Sequence, residues 1–160
     1  MTEGSGADKA KQAVLRLLAL RDRSEGELRQ KLTGKGYDDV LIDVLLAEFK
    51  TLGYIDDAAY TEHQVRYLAR KKLYGNRRIE TYLLGKGIPR GEIRQALGKI
   101  RQEFPEPEAI RRLVGKKGKG QPIANDDKGK RRLTQHLMGK GYSPMLIFET
   151  LDHMMEEQES

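Results

Sequence analysis

One pattern of apolar and glycine positions occurs three times in this chain, and it constrains the fold more than any other feature. The first copy is Leu28, Leu32, Gly34-Lys35-Gly36-Tyr37, Ile42 and Leu46. The second is Ile79, Leu83, Gly85-Lys86-Gly87-Ile88, Ile93 and Leu97. The third is Leu133, Leu137, Gly139-Lys140-Gly141-Tyr142, Ile147 and Leu151. The copies lie 51 residues (36 to 87) and 54 residues (87 to 141) apart. Matched columns at constant internal spacing are the mark of tandem structural units.

Each copy reads as helix, glycine turn, helix. Leu28 and Leu32 are four residues apart and share one helix face, as do Ile42 and Leu46. Ser24 followed by Glu27 predicts a capping box at the start of the first of these helices, with the Ser24 cap contributing about 1 kcal/mol. Gly34 and Gly36 suit a left-handed C-terminal cap. Asp38, Pro89 and Ser143-Pro144 supply start signals for the three following helices.

A further helix precedes each pair. Val14, Leu17 and Leu18 mark one over 10–20, Tyr60, Val65 and Leu68 one over 57–72, and Ile110, Leu113 and Val114 one over 108–114. No stretch alternates with period two over a strand's length. The expectation is therefore all-α: three tandem three-helix repeats over 8–56, 57–104 and 105–157, forming an elongated, curved array. A unit this small is expected to hold little core of its own and to gain stability from shared interfaces. Gly115 to Lys130 reads as a Gly/Lys-rich mobile loop, and residues 1–7 and 156–160 as fraying ends.

A search for chemistry finds no catalytic, cofactor-binding or metal-binding set. The chain has no cysteine, which excludes disulfides, thiolate catalysis and cysteine–zinc sites. A phosphate-binding loop needs a glycine five residues before its Gly-Lys and a Ser or Thr after it; Gly34-Lys35 has Arg29 and Gly36 at those places. His63, His136 and His153 fall in different predicted helices, without metal-ligand spacing. The pairs Asp56-Asp57 and Asp126-Asp127 read as helix caps. Tyr60, Tyr67 and Tyr74, spaced by seven, could stack on bases, but such a stripe more often packs against a neighbouring helix.

Charge is more informative. Thirty Lys and Arg against 24 acids give a net charge of +6. Residues 1–56 hold 9 basic and 10 acidic groups, 57–104 hold 11 and 5, and 105–160 hold 10 and 9. The middle unit therefore carries nearly all the excess. Its candidate binding residues are Arg66, Arg70, Lys71, Lys72, Arg77, Arg78, Arg90 and Arg94, with Arg66/Arg70 and Arg90/Arg94 each on one helix face. Guanidinium groups so gathered suit phosphate or carboxylate partners. No apolar run reaches transmembrane length and the first residues are polar, so the expected compartment is the cytoplasm, with no membrane partner.

The sequence resembles the regulatory protein RecX family of bacteria. Arg21-Asp22-Arg23-Ser24-Glu25-Gly26-Glu27-Leu28, with Leu32 and Gly36, is similar to that family's R-x-R-S-x-x-E-L opening motif. Gly53-Tyr54-Ile55-Asp56-Asp57-Ala58-Ala59-Tyr60 is similar to its G-[YF]-[LI]-D-D-x-x-[FY] segment, and Lys86-Gly87-Ile88 with Ile93 and Leu97 to its second-unit motif. The resemblance spans about residues 10 to 155. The segment 115–130 departs from the compact third unit that the family leads one to expect. The resemblance implies a non-enzymatic modulator of the RecA recombinase, needing no cofactor. It would lodge as a monomer in the groove of the RecA–single-stranded-DNA filament and inhibit its ATPase, strand exchange and growth. The alternative is a DNA-binding protein, sequence-independent or of helix-turn-helix type, contacting DNA directly. In the latter case one recognition helix would carry base-reading side chains.

Overall fold

The computed structural model describes residues 5–118 and 126–159, and these contain nine α-helices and no strand. They are α1 (Gly6–Leu20), α2 (Glu25–Gly34), α3 (Asp39–Thr51), α4 (Asp57–Arg70), α5 (Asn76–Gly85), α6 (Arg90–Glu103), α7 (Glu106–Gly118), α8 (Asp127–Gly139) and α9 (Pro144–Glu159). The expected all-α tandem arrangement of three-helix units holds.

The repeated pattern explains the local structure. Its first two apolar positions, Leu28/Leu32 and Ile79/Leu83, are fully buried, as is Leu137 in the third copy. The helix then stops in the same way each time. The second glycine of each turn takes a left-handed φ: +88° at Gly36, +84° at Gly87 and +108° at Gly141. The next amide reaches back five residues, from Tyr37 to Leu32, Ile88 to Leu83 and Tyr142 to Leu137, at 3.1–3.3 Å. This is the Schellman closure, which only a residue without a Cβ enters cheaply. The first glycine of each turn is the last residue of its helix and has open space around it.

The caps are mostly as expected. Ser24 forms the full capping box with Glu27, Asp56 accepts from the Ala59 amide, and Asp126 accepts from the Gly129 amide. Ser143 Oγ accepts from Leu146, with Pro144 opening α9. Asp38 occupies the N-cap of α3 without a side-chain bond.

Three expectations change. Helix α1 begins at Gly6, because Ser5 Oγ accepts the Asp8 amide at 3.2 Å, and α9 runs to Glu159; only residues 1–4 and 160 of the expected frayed ends lie outside the described residues. The segment 115–130 is not one loop: 115–118 continue α7 and 127–130 open α8, while 119–125 lie outside the described residues. Finally, each unit does hold a core of its own, of ten buried apolar residues. The third core also takes in Leu73 and Phe104, which precede its helices in sequence.

Candidate interaction surface

Consecutive units meet through one recurring contact: the start of the second helix of a unit rests on the glycine turn of the next. At the first junction Ser24 Oγ donates to the Lys86 carbonyl at 2.6 Å. The backbones approach so closely that a Cβ on Gly26 would lie 2.7 Å from the Lys86 oxygen and 2.9 Å from Gly87 Cα. At the second junction the Gly75 amide donates to the Lys140 carbonyl at 2.8 Å and the Arg77 amide to the Gly141 carbonyl at 3.2 Å. Gly75 is likewise pressed against Gly141. Ser24 and Gly75 both occupy the N-cap, where a helix has unpaired backbone donors to satisfy.

Charged side chains complete these joints. Glu27 is buried and receives Arg21 at 2.6 Å, with Lys86 Nζ at 3.6 Å and Arg23 at 3.8 Å. Burial pushes its carboxyl up, but hydrogen bonds from Arg21 and the Ser24 amide, with the cations around it, outweigh that and hold it below the usual carboxylate range. Tyr60 itself is buried, and burial and the facing Glu27 carboxylate push its hydroxyl pKa up. Asp57 accepts the Glu25 amide at 2.8 Å, and burial raises its carboxyl. At the second junction Arg78 donates to the Gly139 carbonyl at 3.0 Å and lies 3.9 Å from the centre of the Tyr74 ring, with Lys140 on the same ring at 5.5 Å.

The eight basic residues singled out from sequence divide into groups. Arg66 and Arg70 come together on Glu103, at 2.9 and 3.5 Å, and Arg70 also lies over the Phe104 ring. The Arg66 bond holds the Glu103 carboxyl below its usual range. Arg90 pairs with Glu80 at 2.9 Å. It opens α6 whereas Glu103 ends it, so at 1.5 Å per residue the two sites stand roughly 20 Å apart. Arg78 is spent on the junction. Lys71, Lys72, Arg77 and Arg94 are exposed and hold no carboxylate among the described residues. The structure therefore gives exposed cations at both ends of the middle unit rather than one unbroken ridge. Arg101 is structural: its guanidinium holds Asn76, the Tyr74 carbonyl and the Phe104 carbonyl.

The matched third helices bury Ile42/Leu46, Ile93/Leu97 and Ile147/Leu151. What they leave exposed differs: Val40 and Val44 on α3, Arg90 and Arg94 on α6, Met145 and Phe148 on α9. No common set of base-reading side chains recurs among them. Of the tyrosine stripe, Tyr60 is core, Tyr74 packs under Arg78, and Tyr67 is exposed. Among the described residues no three His, Cys, Asp or Glu groups gather as a metal site, and no helix is long and apolar enough to cross a membrane.

Fold and surface together define the class: an all-α tandem-repeat protein whose middle unit carries exposed cations. Comparison with known families takes the assignment further. The first, second and third three-helix domains of RecX match residues 10–49, 56–97 and 106–151 in that order. The chain is 34% identical over 143 residues to the regulatory protein RecX of Geobacillus thermodenitrificans, covering 89% of this chain and 52% of that protein, about half its length. It is 32% identical over 158 residues to regulatory protein RecX of Chlorobaculum tepidum, covering 99% of this chain and 95% of that one. The crystal structure of RecX from Lactobacillus salivarius, 22% identical, superposes with a TM-score of 0.77 over 96% of both chains. This chain belongs to the RecX family of regulatory proteins.

Proposed function

We propose that this protein is a non-enzymatic, cytoplasmic regulator of the RecA recombinase. It binds the RecA–single-stranded-DNA filament as a monomer and restrains ATP hydrolysis, strand exchange and filament growth. Membership of the family supports the partner. The observation that carries the mechanism is the recurring junction, in which the start of a unit's second helix rests on the glycine turn of the next, through the Ser24 hydroxyl at the first junction and the Gly75 and Arg77 amides at the second. A body of regularly repeated units meets a regularly repeated lattice at several points, and linked weak contacts add to high avidity. Bridging neighbouring protomers would oppose the relative motion that hydrolysis and strand exchange require. The cations of the middle unit, Lys71, Lys72, Arg77 and Arg94 foremost, face acidic filament surface or DNA phosphate.

The test is to titrate the protein into RecA filaments on single-stranded DNA and follow ATP hydrolysis. Inhibition is expected at micromolar protein, and no effect at that excess overturns the reading. The variant Lys72→Glu/Arg77→Glu, at two exposed side chains, is expected to keep its helical circular dichroism and lose most of the inhibition. Undiminished inhibition removes this face from the mechanism. A helix-turn-helix reader would instead bind one duplex sequence several kcal/mol more tightly than others.

A further inference from the structure

The two junctions share a contact but not a construction. The second is bound by apolar packing: Leu73 and Phe104, which precede the third unit in sequence, lie in its core, and the Tyr142 hydroxyl donates to the Leu73 carbonyl at 2.7 Å. Polar bonds close around that packing, with the Asn76 amide donating to Glu106 and the Arg101 guanidinium holding the Tyr74 and Phe104 carbonyls. Phe104 and Pro105 alone separate α6 from α7. At the first junction neither core takes in a residue of the other unit: one is drawn from within residues 10–55, the other from within 60–100. What joins them is polar. The Ser24 hydroxyl meets the Lys86 carbonyl, Lys86 Nζ stands 3.6 Å from Glu27, and Asp57 accepts the Glu25 amide. The Tyr60 hydroxyl is buried on the Glu27 side with no hydrogen-bond partner, a cost that this setting of the joint carries. The connection from α3 to α4 is also longer, Leu52 to Asp56, with Gly53 at a left-handed φ of +84°.

The closest approach at the first junction is a pair of glycines. A Cβ on Gly26 would lie 2.9 Å from Gly87 Cα, and one on Gly87 would lie 2.9 Å from Gly26 Cα. Open clefts flank this pair. One, of about 710 Å³, separates Glu25, Arg29 and Lys50 of the first unit from Asp57, Pro89 and Glu92 of the middle unit. The other, of about 560 Å³, separates Gln30, Lys31 and Lys35 from Gly85 and Lys86. Bare backbone touching at one place, with free volume on either flank, is a pivot. Rotation about it widens one cleft and narrows the other without uncovering an apolar core. Large apolar interfaces hold neighbouring bodies still, whereas small polar ones let them move.

We propose that the first junction is a hinge, at which the first unit swings as one body about the Gly26–Gly87 contact while the middle and third units move together as another. Lys86 is the tether: Arg21 and Arg23 reach Glu27 from its own unit, and Lys86 reaches it from the middle one. The curvature of the array is then adjusted at one joint and fixed at the other. The first unit can take up its own contact on a partner without disturbing how the other two sit. The hinge is a property of this chain alone and does not depend on action at RecA.

The chain has no cysteine, so spin labels attach only where one is introduced. Distances in the full chain, without RecA, are measured by double electron–electron resonance on three label pairs. Thr33→Cys/Gln95→Cys spans the first junction, Gln95→Cys/Gln135→Cys spans the second, and Thr33→Cys/Ala47→Cys lies within the first unit; all four positions are exposed on helices. The first pair is expected to give a distribution roughly twice as wide as the other two, or wider. Equal widths across both junctions overturn the hinge. A broad Thr33–Ala47 distribution assigns the spread to a loose first unit and overturns it as well. Gly26→Ala, whose methyl group would press on Gly87, is expected to shift the first pair and leave the second in place. A first pair that stays put, or a shift of both, overturns the pivot. Lys86→Ala is expected to widen the first distribution further, and an unchanged width overturns the tether. A failure to inhibit RecA would overturn the proposed function and leave these distances, and the hinge, standing.

Discussion

The Tyr142 hydroxyl donates a 2.7 Å hydrogen bond to the carbonyl of Leu73, 69 residues earlier in the chain. Leu73 is the non-glycine residue with a left-handed backbone among the described residues, at φ +57°, and its side chain is buried in the third unit's core. Such a conformation is uncommon for a leucine and costs about 1–3 kcal/mol, so it persists only where surroundings enforce it. Here the connection between α4 and α5 belongs to the middle unit in sequence and to the third unit in packing.

That bond makes the first prediction. Tyr142 is fully buried, so Tyr142→Phe keeps the ring and leaves the Leu73 carbonyl without its partner. Chemical denaturation is expected to show a loss of about 1–3 kcal/mol, the cost of an unsatisfied buried acceptor. An unchanged midpoint would mean that water replaces the hydroxyl.

The glycine turns make the second. Gly34 and Gly26 look alike in sequence, but a Cβ at Gly34 meets nothing within 4 Å, whereas one at Gly26 collides with the backbone of Lys86 and Gly87. Gly26→Ala is expected to destabilise by about 1–3 kcal/mol, because neither backbone can yield without separating the units. Gly34→Ala, at a helix end, is expected to be neutral or to stabilise by up to about 1 kcal/mol. Urea unfolding of the two variants side by side reads the contrast. Equal behaviour would remove the close approach from the account.

The helices and the unit repeat were legible because they are local. Ile42 and Leu46 declare a buried face by spacing alone, and Ser24 with Glu27 declares a start. The junctions were not legible, because they depend on what a distant turn presents. Ser24 reads as an ordinary cap, yet its hydroxyl also donates across to Lys86. Arg78 reads as a surface cation among others, yet it is held by the Gly139 carbonyl and the Tyr74 ring. Summed charge found an excess in the middle unit but could not tell Arg66, paired to Glu103, from Lys72, which meets no carboxylate among the described residues.

Glu27 ties the first junction to pH. Its folded carboxyl titrates below the ordinary value of 4.5, so the stability it supplies is present in full above that value and is lost as pH falls through the folded pKa. Glu27→Gln is expected to be less stable at neutral pH, where it leaves Arg21, Arg23 and Lys86 facing each other, and to lose less on going from about pH 5 to pH 3. Asp57, whose carboxyl is raised, acts with the opposite sign, but it is present in both proteins and drops out of the difference. Thermal unfolding across that range checks it. Parallel profiles would mean that Glu27 is not the group that senses acid.

Glu103 gives a prediction about function that the ion pairs make counter-intuitive. It holds Arg66 and Arg70 at once, and all three side chains are substantially exposed, so screening by water leaves the cluster little part in stability. Its effect on binding is larger, because two guanidiniums that a partner would need are turned toward one carboxylate. Glu103→Gln leaves size and hydrogen-bonding shape nearly unchanged, removes one negative charge and frees both arginines. If the middle unit meets an anionic surface with these residues, the variant should inhibit RecA ATP hydrolysis at lower concentration than the parent, and the advantage should shrink as salt rises. Thermal unfolding should barely change, which separates the gain from any general stabilisation. An unaltered half-inhibitory concentration would take Arg66 and Arg70 out of the interface and leave the task to Lys71, Lys72, Arg77 and Arg94, the cations that no carboxylate among the described residues holds.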